Sequence, residues 1–275
     1  MTERDDTGTP AADRTSGLDA HRPLKPVQVY ELVSRTGIEE LGRPTASLFW
    51  SGVAAGLAIG FSVIGRAAIE SRLPAEADWA PLVGAIGYAF GFVIVVMGRF
   101  QLFTEQTVTP VMPLCRRPTE AGLRALARLW GVVLGANLLG AFGFALFLAA
   151  THVLPAPVLD GVAELARHQL EKDAGEVLGG AICAGFLIAM LVWLLANMRG
   201  GELPAILAVT WIIGAAGFGH VVAGSVEMGV LLFRGAGGLG EVLFGFVAPS
   251  LIGNVLGGTA LFTLSAYGQV VRELD

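Results

Sequence analysis

The chain has 275 residues, 54% of them hydrophobic and 15% charged, with a formal net charge of −5. Soluble domains carry about 25% charged residues, so this composition excludes an ordinary soluble fold and points to one membrane domain with short loops. No basic run suggests a nucleic-acid partner, and two cysteines give no disulfide framework.

Residues 1–26 are polar throughout and lack the apolar stretch of a signal peptide, so they read as a disordered cytoplasmic tail. Residues 27–45 place Val29, Leu32, Val33 and Leu41 near helical spacing, with Glu and Arg between. This predicts an amphipathic helix, lying on the membrane surface, against the bundle or on cytoplasmic loops. A six-span domain follows over 46–268, and residues 269–275 form a second cytoplasmic tail. Its apolar segments cover about 46–64, 81–113, 129–154, 177–196, 203–233 and 242–267.

The second and fifth segments have 33 and 31 residues. As straight helices they would reach roughly 45–50 Å, against a hydrocarbon core of about 30 Å. Each has weak helix formers at its centre: Gly98, Arg99 and Thr104 to Pro110 in one, Gly214, Gly217, Gly219 and His220 in the other. Each is therefore expected to be two half-helices joined by an irregular loop that faces protein or a wet cavity.

The pattern occurs twice. Thr104 lies 33 residues before Asn137, in GANLLGA, and His220 lies 34 before Asn254, in IGNVLGG. Twelve Lys and Arg fall on the side of the two tails and five on the other, which places both termini in the cytoplasm. Three spans per copy invert the second copy. The expected fold is an all-α membrane protein of six transmembrane helices, in two inverted three-helix repeats with broken second and fifth helices. Such folds are transporters or channels with a site near the midplane.

His220 is the sharpest candidate there. A histidine in a span is costly, usually faces a cavity, and titrates near neutrality. The Thr104 hydroxyl can bond His220 and a passing solute, or cap the half-helix that follows. Asn137 and Asn254 offer amide donors to an anion or tie the loop backbone. Arg99 and Glu105 are expected to hold the first break, paired with each other or with loop backbone, and Glu227 to act similarly in the second. Lys172, in the outer loop before the fourth span, can concentrate anions at the mouth. No metal-ligand spacing, nucleophile elbow or phosphate loop occurs, so neither enzyme activity, a metal nor a cofactor is expected.

The LFT stretch at Leu102 to Thr104, GFGH at Gly217 to His220 and IGNVLGG at Ile252 to Gly258 resemble the formate/nitrite transporters, which include hydrosulfide channels. FTEQTVT (Phe103 to Thr109), RLWGVVL (Arg128 to Leu134) and HVVAGSVE (His220 to Glu227) look like a divergent bacterial inner-membrane branch of that family. The resemblance implies an aquaporin-like protomer in a homopentamer, set in the bilayer of the bacterial inner membrane and passing small monovalent anions with protons. By similarity, His220 and Thr104 form a central proton relay and Asn254 polarises that pair or the substrate. Phe92, Leu102 and Phe103 form constrictions, and Lys172 matches the vestibule lysine loosely. Gly219, Gly224 and Gly185 depart from the family, which commonly has Glu, Asn and Asn there.

Two rival readings stay open. One is an aquaporin-like pore for neutral solutes, with Arg99 excluding protons at a constriction. The other is a non-transporting membrane protein of the same fold.

Overall fold

The computed structural model describes residues 24–74 and 77–274, so the N-terminal tail before Leu24 lies outside the described residues. The helices are α1 (Pro26–Gly42), α2 (Thr45–Glu70), α3 (Ala80–Met97), α4 (Met112–Arg116), α5 (Glu120–Ala150), α6 (Ala156–Leu170), α7 (Ala174–Asn197), α8 (Glu202–Ala215), α9 (Val221–Phe233) and α10 (Glu241–Glu273). Helices α2, α3, α5, α7 and α10 are long and apolar enough to cross a membrane, and α8 and α9 are shorter apolar helices. The chain is a multi-pass membrane protein.

The helical run that starts at Ala80 stops at Met97. It resumes as one 3₁₀ turn, Glu105–Thr107, and then the five-residue α4. Pro110 and Pro113 lack the amide hydrogens that a longer helix would need. The half-helix expected after the first break is therefore mostly turns. The second break is cleaner: α8 ends at Ala215 and α9 starts at Val221.

Two helices differ from the sequence-based expectation. Residues 156–170, read as part of an outer loop, form α6. Its Val158, Val162, Leu165 and Ala166 recur at helical spacing and are buried on α2 and α9. Helix α10 contains two π-helical stretches, Glu241–Val247 and Leu256–Thr263. Pro249 follows the first, where a wider turn accommodates its missing amide hydrogen. In the second, the Thr263 hydroxyl donates to Gly258 O at 2.8 Å, and Thr259 reaches across to Thr107 O at 2.7 Å.

Helix α1 packs against the bundle. Val29, Tyr30 and Val33 join Val108, Met112 and Val270 in one apolar cluster. The Tyr30 hydroxyl donates to Met112 O at 2.6 Å, which ties α1 to the chain after the first break. Burial pushes the Tyr30 phenol up to about 12, so it remains a donor at any physiological pH.

Candidate functional site

Helices α3 and α8 end alike. Arg99 N bonds Val96 O at 3.1 Å and Phe100 N bonds Val95 O at 3.0 Å. Gly217 N bonds Gly214 O at 3.2 Å and Phe218 N bonds Ile213 O at 3.0 Å. Both are Schellman ends, and they put Arg99 at φ 54° and Gly217 at φ 62°. Glycine is at ease there. A non-glycine residue carries roughly 1–3 kcal/mol of backbone strain.

One asparagine ties each loop that follows. Asn137 Oδ1 accepts from Phe103 N at 2.8 Å, and its Nδ2 donates to Gly52 O and Gln101 O, both at 2.8 Å. Asn254 Oδ1 accepts from Val221 N at 2.9 Å, and its Nδ2 donates to Ala181 O at 2.8 Å and Gly219 O at 2.9 Å. Both amides are fully buried and spent on backbone. This frame changes the register read from the sequence. It equates Gln101 with Gly219 and Leu102 with His220, so Thr104 is not the symmetry counterpart of His220.

Thr104 meets His220 across the two breaks instead. Thr104 Oγ1 lies 2.8 Å from His220 Nε2, with the residues 0% and 1% exposed. His220 also caps α9: its Nδ1 accepts from Ala223 N at 3.2 Å. An accepting Nδ1 carries no proton, so in the neutral ring the hydrogen sits on Nε2 and points to Thr104. Thr104 then accepts, and its own hydroxyl hydrogen is free for a third partner. Thr104 makes no side-chain cap to the turn after it. Phe92 stands edge-on to the imidazole, with centroids 5.0 Å apart at 83°.

His220 lines one of two cavities, and Glu105, next to Thr104, lines the other. On the side of α1, a cavity of about 620 Å³ is lined by Glu40, Arg99, Gln101, Glu105 and Gln106, among others. On the side of α6, a space of about 10 Å³ is lined by Arg66, Tyr88, Gln169, His220, Glu227 and Phe246, among others.

Arg99 and Glu105, expected to pair with each other or with loop backbone, show neither bond through their side chains among the described residues. Arg99 is exposed at the cavity mouth, and one buried Glu105 oxygen has no partner among the described residues. Both line the α1-side cavity, with the left-handed backbone at Arg99 between α3 and the loop that carries the acid. Glu227 does not pin the second break either: it lies two helical turns past the cap, and its carboxyl has no hydrogen bond among the described residues. Phe103 packs on Trp130 of α5, centroids 5.9 Å apart, and Leu102 is buried without lining either cavity.

Lys172 is close to the break. Its Nζ donates to Gly217 O at 2.8 Å and Gln169 Oε1 at 3.1 Å. Burial, and then the nearby Arg66 cation, hold its ammonium below the ordinary lysine value.

The three departing glycines occupy filled space. A β-carbon on Gly224 would strike the Phe246 ring, and one on Gly219 would lie 2.9 Å from Ser250 Oγ. One on Gly185 would strike Asn254 O, as one on Gly56 would strike Asn137 O. Gly185 is thus the mate of Gly56 in a matched helix contact.

Arg66 and Phe246 line this centre but were not singled out from the sequence. Arg66 lies just past the first apolar segment, so by position it reads only as one of the five outer-side charges. Its signal was Glu70 four residues on: the pair bonds at 2.8 Å, and Arg66 Nη1 donates to Gly214 O at 3.2 Å. Nothing in the sequence marked Phe246, which depends on the fold to reach Gly224.

A family profile described as "Formate/nitrite transporter" matches residues 27–268. Inner membrane protein YfdC of Escherichia coli is 33% identical over 253 residues, 92% of this chain and 81% of its own length. Formate channel FocA of Haemophilus influenzae is 24% identical over 76% of this chain and 75% of its own length. Among solved structures, a pentameric formate channel with formate bound aligns at a TM-score of 0.71 and 16% identity, covering 83% of this chain and 98% of that one. A structure titled as an FNT family ion channel aligns at 0.71 and 20% identity, over 89% and 98%.

Proposed function

This chain belongs to the formate/nitrite transporter family, and on that premise we propose that it passes small monovalent weak-acid anions, of formate, nitrite or hydrosulfide type, across the bacterial inner membrane with a proton. The observation that carries this reading is the buried Thr104–His220 bond of 2.8 Å, joining two broken helices, with His220 on the wall of one cavity and Glu105, next to Thr104, on the wall of another. A bare anion pays heavily to enter a dry apolar passage; its neutral acid does not. His220 Nε2–H donates to Thr104, and Thr104 donates onward to the solute as it passes in protonated form.

Matched contacts support two inverted repeats within six spans. The α3 break and α4 form one broken span, and α8 with α9 forms the other. The Asn137 and Asn254 bonds, the two Schellman ends and the Gly56 and Gly185 contacts recur pairwise. Phe92 forms the narrowing beside the imidazole, and Lys172 raises anion concentration at the α6-side mouth. Both termini lie in the cytoplasm.

A homopentamer follows the solved relative. It suits the apolar groove of about 500 Å³ along α2 and α5, where Trp50 is exposed and Gly131 and Gly135 face open space. The aquaporin-like alternative needs Arg99 at a constriction, and Arg99 stands at the open mouth instead.

The test is flux of labelled formate, nitrite and hydrosulfide into proteoliposomes, against water and glycerol by light scattering. Acid flux that falls at least tenfold in His220→Ala or Thr104→Val is expected. Water flux without acid flux would overturn the reading.

A further inference from the structure

The proton that neutralises the anion needs a source, and the imidazole is poorly placed to be one. Its Nδ1 accepts from Ala223 N and its Nε2 faces Thr104, so both ring nitrogens are engaged. Placing a proton on Nδ1 would break the cap of α9 and set a cation at the positive end of that helix.

A second acid faces the same space. Glu227 is 5% exposed, lies on α9 and lines the small α6-side cavity together with His220. It sits seven residues past His220, nearly two full helical turns, so both point to one side of α9. Between them on that face is Gly224, whose missing side chain admits the Phe246 ring. No hydrogen bond holds the Glu227 carboxyl among the described residues, whereas the nearby cations are tied. Arg66 is bonded to Glu70 and Gly214 O, and Lys172 to Gly217 O and Gln169. The charged and titratable groups facing Glu227 are Arg66 and Glu70 on α2, Tyr88 on α3, Lys172 before α7 and His220 on its own helix. The cavity of about 10 Å³ has room for about one water, which the acid shares with Arg66 and His220.

We propose that Glu227 is the proton donor to the incoming anion and that Arg66 is the cation on which the anion docks. The inference rests on the acid-transport reading above. The step conserves charge within the wall. An anion beside Arg66 accepts the Glu227 proton on its oxygen or sulfur; the carboxyl O–H bond breaks and an acid O–H or S–H bond forms. The negative charge passes from solute to carboxylate, still facing Arg66 and Lys172. The neutral acid moves on past His220 and Thr104, and a proton from the α6-side solvent, carried in as hydronium, returns to Glu227 and leaves water. The imidazole is then a fixed hydrogen-bond donor and does not change charge.

The experiment is formate, nitrite and hydrosulfide uptake by the intact oligomer in liposomes, oriented by a cleavable tag, with the α6-side pH varied from about 5 to about 8. Glu227→Gln is expected to lower uptake at least tenfold near pH 8 and less than threefold near pH 5, where solvent supplies more of the free acid. Glu227→Asp keeps the carboxyl and is expected to restore most of the uptake near pH 8. Arg66→Gln is expected to raise KM at least fivefold without changing the shape of the pH profile. If Glu227→Gln fails to assemble, Glu227→Asn decides. A loss of uptake that deepens toward pH 8 in Asn supports the donor, and a profile parallel to the unsubstituted protein overturns it. Uptake by the unsubstituted protein with an identical profile in Glu227→Gln overturns this inference alone. No uptake of any of the three acids by the unsubstituted protein overturns the transport reading and this step with it.

Discussion

Replacing Asn254 by alanine removes three hydrogen bonds that hold the second break against α7 and α10. Ala181 lies within the continuous helix α7, so its carbonyl keeps a helical partner. Val221 N and Gly219 O lose the one bond shown for each. A buried unpaired backbone group costs about 1–3 kcal/mol, so the two together predict a loss of about 2–6 kcal/mol. Asn137→Ala strips Phe103 N and Gln101 O in the same way and should cost a similar amount. Tryptophan fluorescence during unfolding in mixed micelles reads the loss. Hydrogen exchange at the Val221 and Phe103 amides localises it. A loss below about 1 kcal/mol for either variant, with unchanged exchange at its amide, would refute the claim that one asparagine holds each loop.

Three further outcomes are expected. Gly56→Ala and Gly185→Ala each drive a β-carbon into a backbone carbonyl, at Asn137 and Asn254, and should cost about 1–3 kcal/mol each; tolerance of one alone would break their equivalence, read by thermal unfolding. Arg99→Gly should stabilise the protein by about 1 kcal/mol, because it relieves the left-handed backbone strain, and a lowered Tm would contradict this. Lys172 has a depressed folded value, so the folded protein sheds that proton at a lower pH than the unfolded chain does. Its burial penalty is present in full below the folded value and is relieved as pH rises from there toward the ordinary lysine range. The mouth loses positive charge over the same window, so anion KM should climb there, and Lys172→Arg should flatten the climb.

The central pair was readable because each partner is chemically out of place. A histidine among glycines and a phenylalanine, and a threonine in a polar run inside an apolar segment, both in segments too long for one crossing, need a wet or bonded destination. The asparagines were readable as a recurring pair, and their loop-tying role was one of two open readings. The register of the repeat was not readable by counting, because the two copies differ by one residue between break and asparagine. Only the hydrogen bonds revealed that offset. The Arg99–Glu105 pairing failed because nearness in sequence says nothing about direction once the backbone turns left-handed at Arg99. Helix α6 was missed because its apolar face is shorter than a span and interleaved with charge.

Composition and period by themselves determined that this chain lies in a bilayer, where its long apolar segments run and that two of them must break, since those follow from local hydrophobicity and the need to satisfy every backbone group. Tertiary structure alone decided which side chains meet. It brought Thr104 to His220 from 116 positions away, set Phe246 into the space left by Gly224, and gathered Arg66 and Glu227 around one small space. The physical reason is that period fixes the face a residue occupies on its own helix, while its partner depends on how two helices approach, and here glycine contacts and buried asparagines set that approach.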